Sequence, residues 1–434
     1  MSGVRHHGWS DTIYGVLVLD RDITVSRGVS EPNAVATRSE LILDAATMED
    51  LVSFKIRELR ETAEEIATTY AAPLREQTDR DCEWPETVLR LLAEARLTGL
   101  HVPARLGGHE EGLLALAVLT ETIGKECPST GICFGMHCVA TAVITAKATP
   151  DQENCYLRHI AEGRHLSSLA LSESGSGVHF YLPETKLVRD GDEFVLVGCK
   201  QFVTNGGRAD SYVVSTNTQE ADAETGEFSC VIVDSDSKGV SWLAPWHGLG
   251  MRGNSSRGMN LDRVHVPVNH MLGRPGDQIW YAFEVVAPYF LMAMSGVYLG
   301  IAQSALDITL NQMRSRQYSF SGDSLASVSV LQHRVAEMWA AVEKSRCLIY
   351  TAGRLGDLGD PQALAALLMA KADVSETVVS VVNEAMTICG GREYRENSHL
   401  AQLLRDARAS HVMSPTTDLL KLWAGRTLLG VPML

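Results

Sequence analysis

The sequence predicts an α+β fold in three parts: an N-terminal α-helical domain over 47–165, a central β-domain over 166–275 and a C-terminal four-helix bundle over 276–434, after an extension over 1–46. Two observations predict it. Near Leu166 the apolar residues change from helical spacing to short β-rich runs, and after Asp277 they change back. The later helical stretches are also too apolar all round for single-face surface helices, so they are expected to bury one another. A chain of 434 residues, 45% hydrophobic and 21% charged, has enough apolar surface for such a core.

Each element follows from local signals. Residues 1–46 mix polar and β-branched runs without a helical period. Thr47, with Asp50 three residues on, is the expected cap of the first helix. Val52, Ile56, Leu59, Ala63, Ile66 and Tyr70 then recur on one face. Pro85 opens a further helix and Gly99 closes it, Val102-Pro103 and Gly107-Gly108 mark a turn, and helices continue to about Ile160. Strands are expected around Phe194–Val197, Tyr212–Ser215, Cys230–Val233, Val240–Leu243 and Met259–Val266, where β-rich runs are broken by Gly, Asn and Asp. Helices are expected over 279–313, 327–353, 362–388 and 399–428. Val285–Leu306 is uncharged and long enough to span a bilayer. It contains Pro288, Gly296, Gly300 and Gln303 and lacks a flanking Lys/Arg cluster, which favours a buried bundle helix.

Composition narrows the function. A net charge of −15 without a basic stripe excludes a nucleic-acid surface. Nine scattered cysteines, without zinc spacing, read as reduced thiols, and the N-terminus lacks a charged-then-apolar signal segment. A cytoplasmic location is expected.

Two motifs carry the chemistry. Ser168-Leu-Ala-Leu-Ser-Glu-Ser-Gly-Ser-Gly177 runs a short apolar strand into a Gly-rich turn. Lys200-Gln-Phe-Val-Thr-Asn205 ends a second strand in an aromatic, a Thr and an Asn. Both ends offer hydroxyls and backbone N–H groups, the donors that a flat, electron-poor ring needs. Together they resemble the flavin-binding β-domain of the acyl-CoA dehydrogenase family, where the motifs read roughly T-E-P-x-x-G-S-D and G-x-K-x-W-I-T-N. Leu249-Gly-Met-Arg-Gly-Asn-Ser-Ser-Arg257 with Asp262-Arg-Val-His-Val-Pro267, then Gln332-His-Arg-Val-Ala-Glu-Met338, then Cys389-Gly-Gly391, Arg405-Asp-Ala-Arg408 and Thr416, follow in that family's order. The similarity covers roughly Leu51 to Arg426.

The resemblance implies bound FAD. Ser172 takes the place of the Thr at the flavin pyrimidine edge, Phe202 that of the Trp shielding one ring face, and Thr204 that of the Thr near N5. Arg316, Gly390 and Gly391 fall where the family reaches the pyrophosphate of a neighbouring subunit, and Thr416 lies on the adenosine side. It implies a homotetramer. The physics agrees: glycines let backbone N–H groups approach phosphate, Arg supplies paired donors, and donors at the pyrimidine edge stabilise reduced flavin.

Three departures follow. Ser414, in Met413-Ser-Pro-Thr416, occupies the position of the family's catalytic Glu, and a hydroxyl is far too weak a base for an acyl α-proton. Losing a positioned base removes about 10²–10⁴ of rate. The alternative base position falls on Phe290, beside Tyr289 and Leu291, so Tyr289, Phe290 and Ser414 are the candidate substrate-binding residues and the catalytic base is unassigned. Glu284 and Asp418 read as ordinary helix charges. Third, Gly177-Val178-His179 stands where the family has G-S-D, so the acyl handle differs from CoA or is bound differently. Three readings stay open: oxidation of an acyl thioester on CoA or a carrier protein, a flavin monooxygenase of the same fold with a separate flavin reductase, and a silent flavin-binding scaffold. No metal site is expected.

Overall fold

The structure is a computed structural model and describes residues 52–218, 228–274, 277 and 280–433. Helix α1 (Phe54–Ile66) starts where Ser53 Oγ accepts the Ile56 N–H at 3.2 Å. The expected cap at Thr47 and the extension over 1–46 lie outside the described residues. Val52, Ile56, Leu59 and Ala63 are buried as their spacing requires. At Ala67–Ala71 the helix widens into a π turn, the buried face passes to Ala67 and Ala71, and Tyr70 is exposed, contrary to the apolar-face reading. Helices α2 (Ala72–Arg80) and α3 (Glu86–Glu94) follow. Helix α3 ends at Ala95, before left-handed Arg96, rather than at Gly99, which lies in a 3₁₀ turn. Helices α4 (Leu113–Glu126) and α5 (Pro128–Ala146) are buried almost throughout, and short helical turns run to Ala161.

The β-domain is an eight-stranded sheet: β1 (Ser167–Ala170), β2 (Lys186–Asp190), β3 (Glu193–Val203), β4 (Ser211–Thr218), β5 (Phe228–Asp234), β6 (Val240–Pro245), β7 (Arg257–Pro267) and β8 (Met271–Leu272). Its spatial order is β6-β7-β3-β2-β4-β5-β8, with β1 parallel to β4. The sequence missed β2 because only Leu187 of its five residues is buried, which leaves no alternation to read.

A π segment (Tyr281–Val286) leads into α6 (Ala287–Ser315), followed by α7 (Ser329–Asp357) and α8 (Ala363–Cys389). The single helix expected over 399–428 is three: α9 (His399–Ala407), α10 (Ala409–Val412) and α11 (Thr417–Leu429). Pro415 causes the break between α10 and α11. It supplies no N–H and keeps Ser414 out of helical geometry. Helix α6 packs along α4 and α8, and one apolar core joins the two helical parts while a second lies on the sheet. The described helices Pro128–Ala146 and Tyr281–Ser315 are long and apolar enough to cross a membrane, and 89% of each apolar window is buried in protein. This is the predicted α+β architecture.

Candidate functional site

The ends of β1 and β3 meet. The Gln201 N–H donates to Ser172 O at 2.7 Å, and Ser168 Oγ donates to Thr204 O at 2.7 Å. Between them lies a buried ion pair that the sequence reading missed. Lys200 Nζ contacts Glu173 Oε1 and donates to Ser215 Oγ at 3.0 Å, and the two side chains are 0% and 2% exposed. Glu173 also accepts from the Glu184 N–H, the Thr185 N–H (3.1 Å) and Thr185 Oγ1 (2.6 Å). Burial pulls the Lys200 ammonium down to about 8, against the opposing pull of Glu173. Burial likewise opposes ionisation of Glu173, but Lys200 and the three donors hold its carboxyl below the ordinary range. At neutral pH both are charged.

Sheet irregularity aims the candidate ring residues. The β3–β7 register shifts between Lys200 and Val203, and at this bulge Phe202 has φ 54°. A left-handed aromatic residue costs roughly 1–3 kcal/mol, which the surrounding sheet must offset. Its ring is 58% exposed and stacks edge-on against Trp246 at 5.7 Å. Thr204 is buried behind it, and Ser172 is exposed beside it. Asn205 locks the strand end to the helices, accepting from Trp84 Nε1 at 2.9 Å and donating to Cys133 O at 3.0 Å. Buried His137 accepts the Ser167 N–H at Nδ1 (3.0 Å) and lies 3.0 Å from Thr98 O through Nε2. Burial lowers it to about 4, so it is a neutral pin between α5 and β1.

At the start of α6, Tyr289 packs edge-on against His101 at 4.8 Å and lines a cavity of about 1240 Å³ with Phe283, Glu284 and Asp357. Phe290 is half-buried and packs on the core. Glu284 and Asp418 are exposed. Phe180, Tyr181, Phe283 and Trp423 form an aromatic cluster, with ring centroids 5.5–6.4 Å apart, that ties the turn after β1 to the π segment and α11. His179 lies in that turn, with Nδ1 2.8 Å from the Tyr181 hydroxyl. Ser414 is half-buried, and Tyr298 of α6 reaches its neighbour Met413 at 3.3 Å (Oη to Sδ). Neither position 290 nor position 414 carries a carboxylate. Thr416 precedes α11, but its hydroxyl does not cap that helix.

Arg316, Gly390 and Gly391 form a separate group where α6 and α8 end. Gln312 Nε2 donates to Cys389 O at 2.9 Å, and the Arg316 charge acts on the Cys389 thiol. Arg316 is exposed and makes no ion pair among the described residues. Gly390 is left-handed at φ 68°, and a Cβ on Gly391 would meet nothing within 4 Å. An open glycine pair beside a free guanidinium suits a phosphate-bearing ligand, and the exposed ring of Phe202 beside hydroxyls suits a planar one, so the residues present fit FAD. The sequence reading missed Glu173, Lys200, His137, Trp246 and the aromatic cluster. Of these, only the E in the first motif and the K in the second gave a signal.

Three family profiles tile the described chain: "Acyl-CoA dehydrogenase, N-terminal domain" at 55–164, "middle domain" at 168–264 and "C-terminal domain" at 291–429. The chain is 30% identical over 366 residues to cyclohex-1-ene-1-carbonyl-CoA dehydrogenase of Geobacter metallireducens, covering 84% of this chain and 95% of that one. Its fold is similar to butyryl-CoA dehydrogenase from Megasphaera elsdenii, with TM-score 0.82, 22% identity and coverage of 87% and 99%. It is also similar to the prolyl acyl carrier protein oxidase AnaB, with TM-score 0.77, 22% identity and coverage of 87% and 99%.

Proposed function

This chain belongs to the acyl-CoA dehydrogenase family, and we propose that it oxidises an acyl thioester carried on CoA or a carrier protein, with Phe202, Phe290 and Ser414 as residues of the reacting site. It is a flavin-dependent oxidoreductase with FAD as cofactor. FAD, when bound, supplies the hydride acceptor. Ser172 and Thr204 are the residues that would hold the ring through their hydroxyls, and Phe202 would cover one face. Tyr289 and Phe290 confine the acyl group. Ser414 offers only a neutral hydroxyl at the base position, so the α-proton leaves to a base other than residue 414. The observation that carries this reading is the Ser172–Gln201 bond with the adjacent Glu173–Lys200 pair, which fixes both halves of the ring seat against each other. The lack of a carboxylate at 290 and 414 favours a second reading, oxygenation with a separate flavin reductase.

One experiment separates the two. Anaerobic addition of acyl-CoA or a carrier-bound acyl thioester is expected to bleach the flavin band, and Ser414→Ala is expected to bleach within about tenfold of the parent rate. No bleaching, with O₂-dependent product formation when a flavin reductase is supplied, favours oxygenation. Loss of more than about a thousandfold in Ser414→Ala would make residue 414 part of the chemistry.

A homotetramer belongs to the same proposal and rests on the family resemblance. The family resemblance puts Arg316 and Gly390-Gly391 at the cofactor of a neighbouring subunit, and the place of Arg316 on the order of 40 Å along α6 from Phe290, at 1.5 Å per residue, is compatible with that. Exposed Phe320 (86%) and Tyr394 (80%) flank these residues and suit burial between subunits. A homotetramer built as a pair of dimers is expected in light scattering, and a monomer that retains tight FAD would contradict it. A cytoplasmic location is part of the same proposal, supported by nine cysteines without a disulfide.

A further inference from the structure

Beneath the Ser414 turn lies a buried cation that the reading above does not use. Lys371 of α8 is 0% exposed. Its ammonium donates to Ser410 O at 2.8 Å, Pro415 O at 3.1 Å and Met413 O at 3.4 Å. Ser375, one turn further, donates to Lys371 O at 2.7 Å and to Ser410 O at 3.2 Å, and Ser410 Oγ returns a bond to Ser375 O at 3.1 Å. Residue 414 therefore straddles the ammonium, with a bonded carbonyl on either side.

The three carbonyls satisfy the three N–H donors but leave the charge uncompensated. No described carboxylate pairs with Lys371, and Glu376 on the same helix is held by Lys421. The other charged or titratable groups around the turn are Arg408 and His411 before it, Asp418 on α11 and Tyr298 on α6. A buried ammonium without a counter-ion is costly. A neutral amide would serve a carbonyl turn with less desolvation. What the ammonium adds over a neutral amide is positive charge beneath the turn that carries the Ser414 hydroxyl.

We propose that Lys371 is a positioning residue that makes the Ser414 turn a receptor for a negative charge, and that the thioester bound there carries its own carboxylate on its acyl chain. The substrate class rests on the reading above, whereas the receptor does not. The first test therefore uses stability alone. Ser414→Glu is expected to melt higher than Ser414→Gln at about pH 7, because a cation beneath the turn lowers the new carboxyl's folded pKa. A lowered carboxyl stabilises above its unfolded value and loses that gain on acidification, so the difference should vanish by about pH 4. It should also vanish in a Lys371→Met background. If Lys371→Met does not fold, the Glu/Gln comparison stands alone. A Gln variant as stable as Glu at neutral pH overturns the receptor. The second test titrates the FAD-loaded protein with the N-acetylcysteamine thioesters of glutarate and valerate, read by flavin absorbance. The glutaryl thioester is expected to bind at least about tenfold tighter, and Lys371→Met to remove the preference. Equal or tighter valeryl binding overturns the substrate class. A Glu/Gln difference with no response to either thioester leaves the receptor in place and removes the acyl-thioester reading.

Discussion

Lys200→Met is expected to destabilise the protein by about 3–5 kcal/mol, because it leaves the buried Glu173 carboxylate without its counter-ion. The remaining partners of Glu173 are donors from Thr185 and Glu184, which bond the charge without cancelling it. The loss has a sign in pH. In the parent, Glu173 is held below its ordinary value of 4.5, so its contribution is present above that value and is lost as pH falls through the lower folded value. In Lys200→Met, burial dominates and the folded carboxyl rises instead, so the variant regains stability on acidification. Urea unfolding should therefore show a gap between parent and variant that is widest near about pH 7 and narrows toward pH 4.5. A Glu173→Gln, Lys200→Met double variant should recover part of the loss, since the uncompensated charge is gone. A gap of under about 1 kcal/mol at neutral pH would mean that water reaches the pair.

What the sequence revealed depended on whether the signal was local. Ser172, Phe202 and Thr204 stood out as candidates because each stands at a strand end with turn chemistry beside it, and the fold brings those strand ends together. The pair that joins them was not, because Glu173 and Lys200 are 27 residues apart and meet only when the ends of β1 and β3 are aligned by the sheet. Lys371 lies in an apolar helical run, where a lysine usually reads as a side chain reaching for solvent. Only the fold of 410–415 over it shows that it points inward. Tyr70 fitted an ideal helical period, and the π turn at Ala67–Ala71 shifted the face by one residue. The four rings of the aromatic cluster come from three segments, none apolar enough to stand out alone. Periodicity located the elements, while the electrostatics that tune the site arise from tertiary neighbours.

The glycines at 250 and 391 should behave oppositely, and the contrast distinguishes packing from ligand binding. A Cβ on Gly250 would come within 2.5 Å of Arg405 C and 2.7 Å of Asp406 N, all backbone of α9. No rotamer change relieves a clash with backbone, so the β-domain loop or α9 must move. Two contacts depend on that distance. Asp406 Oδ1 accepts the adjacent Met251 N–H at 2.6 Å, and Arg405 is clamped to Asp79 of α2, with Nη1 to Oδ1 at 2.9 Å. Burial raises the Asp406 carboxyl to about 7, against the opposing pull of the Met251 N–H. Gly250→Ala is therefore expected to cost about 3 kcal/mol, the upper range for overpacking, and to weaken FAD retention only through the loss of fold. Gly391→Ala meets nothing within 4 Å and should leave the apoprotein's urea midpoint unchanged. If the backbone at 391 approaches FAD phosphates across a subunit boundary, the added methyl should raise the FAD Kd at least about tenfold while the midpoint stays fixed. A Gly391→Ala protein that binds FAD as tightly as the parent would remove this glycine from the cofactor site.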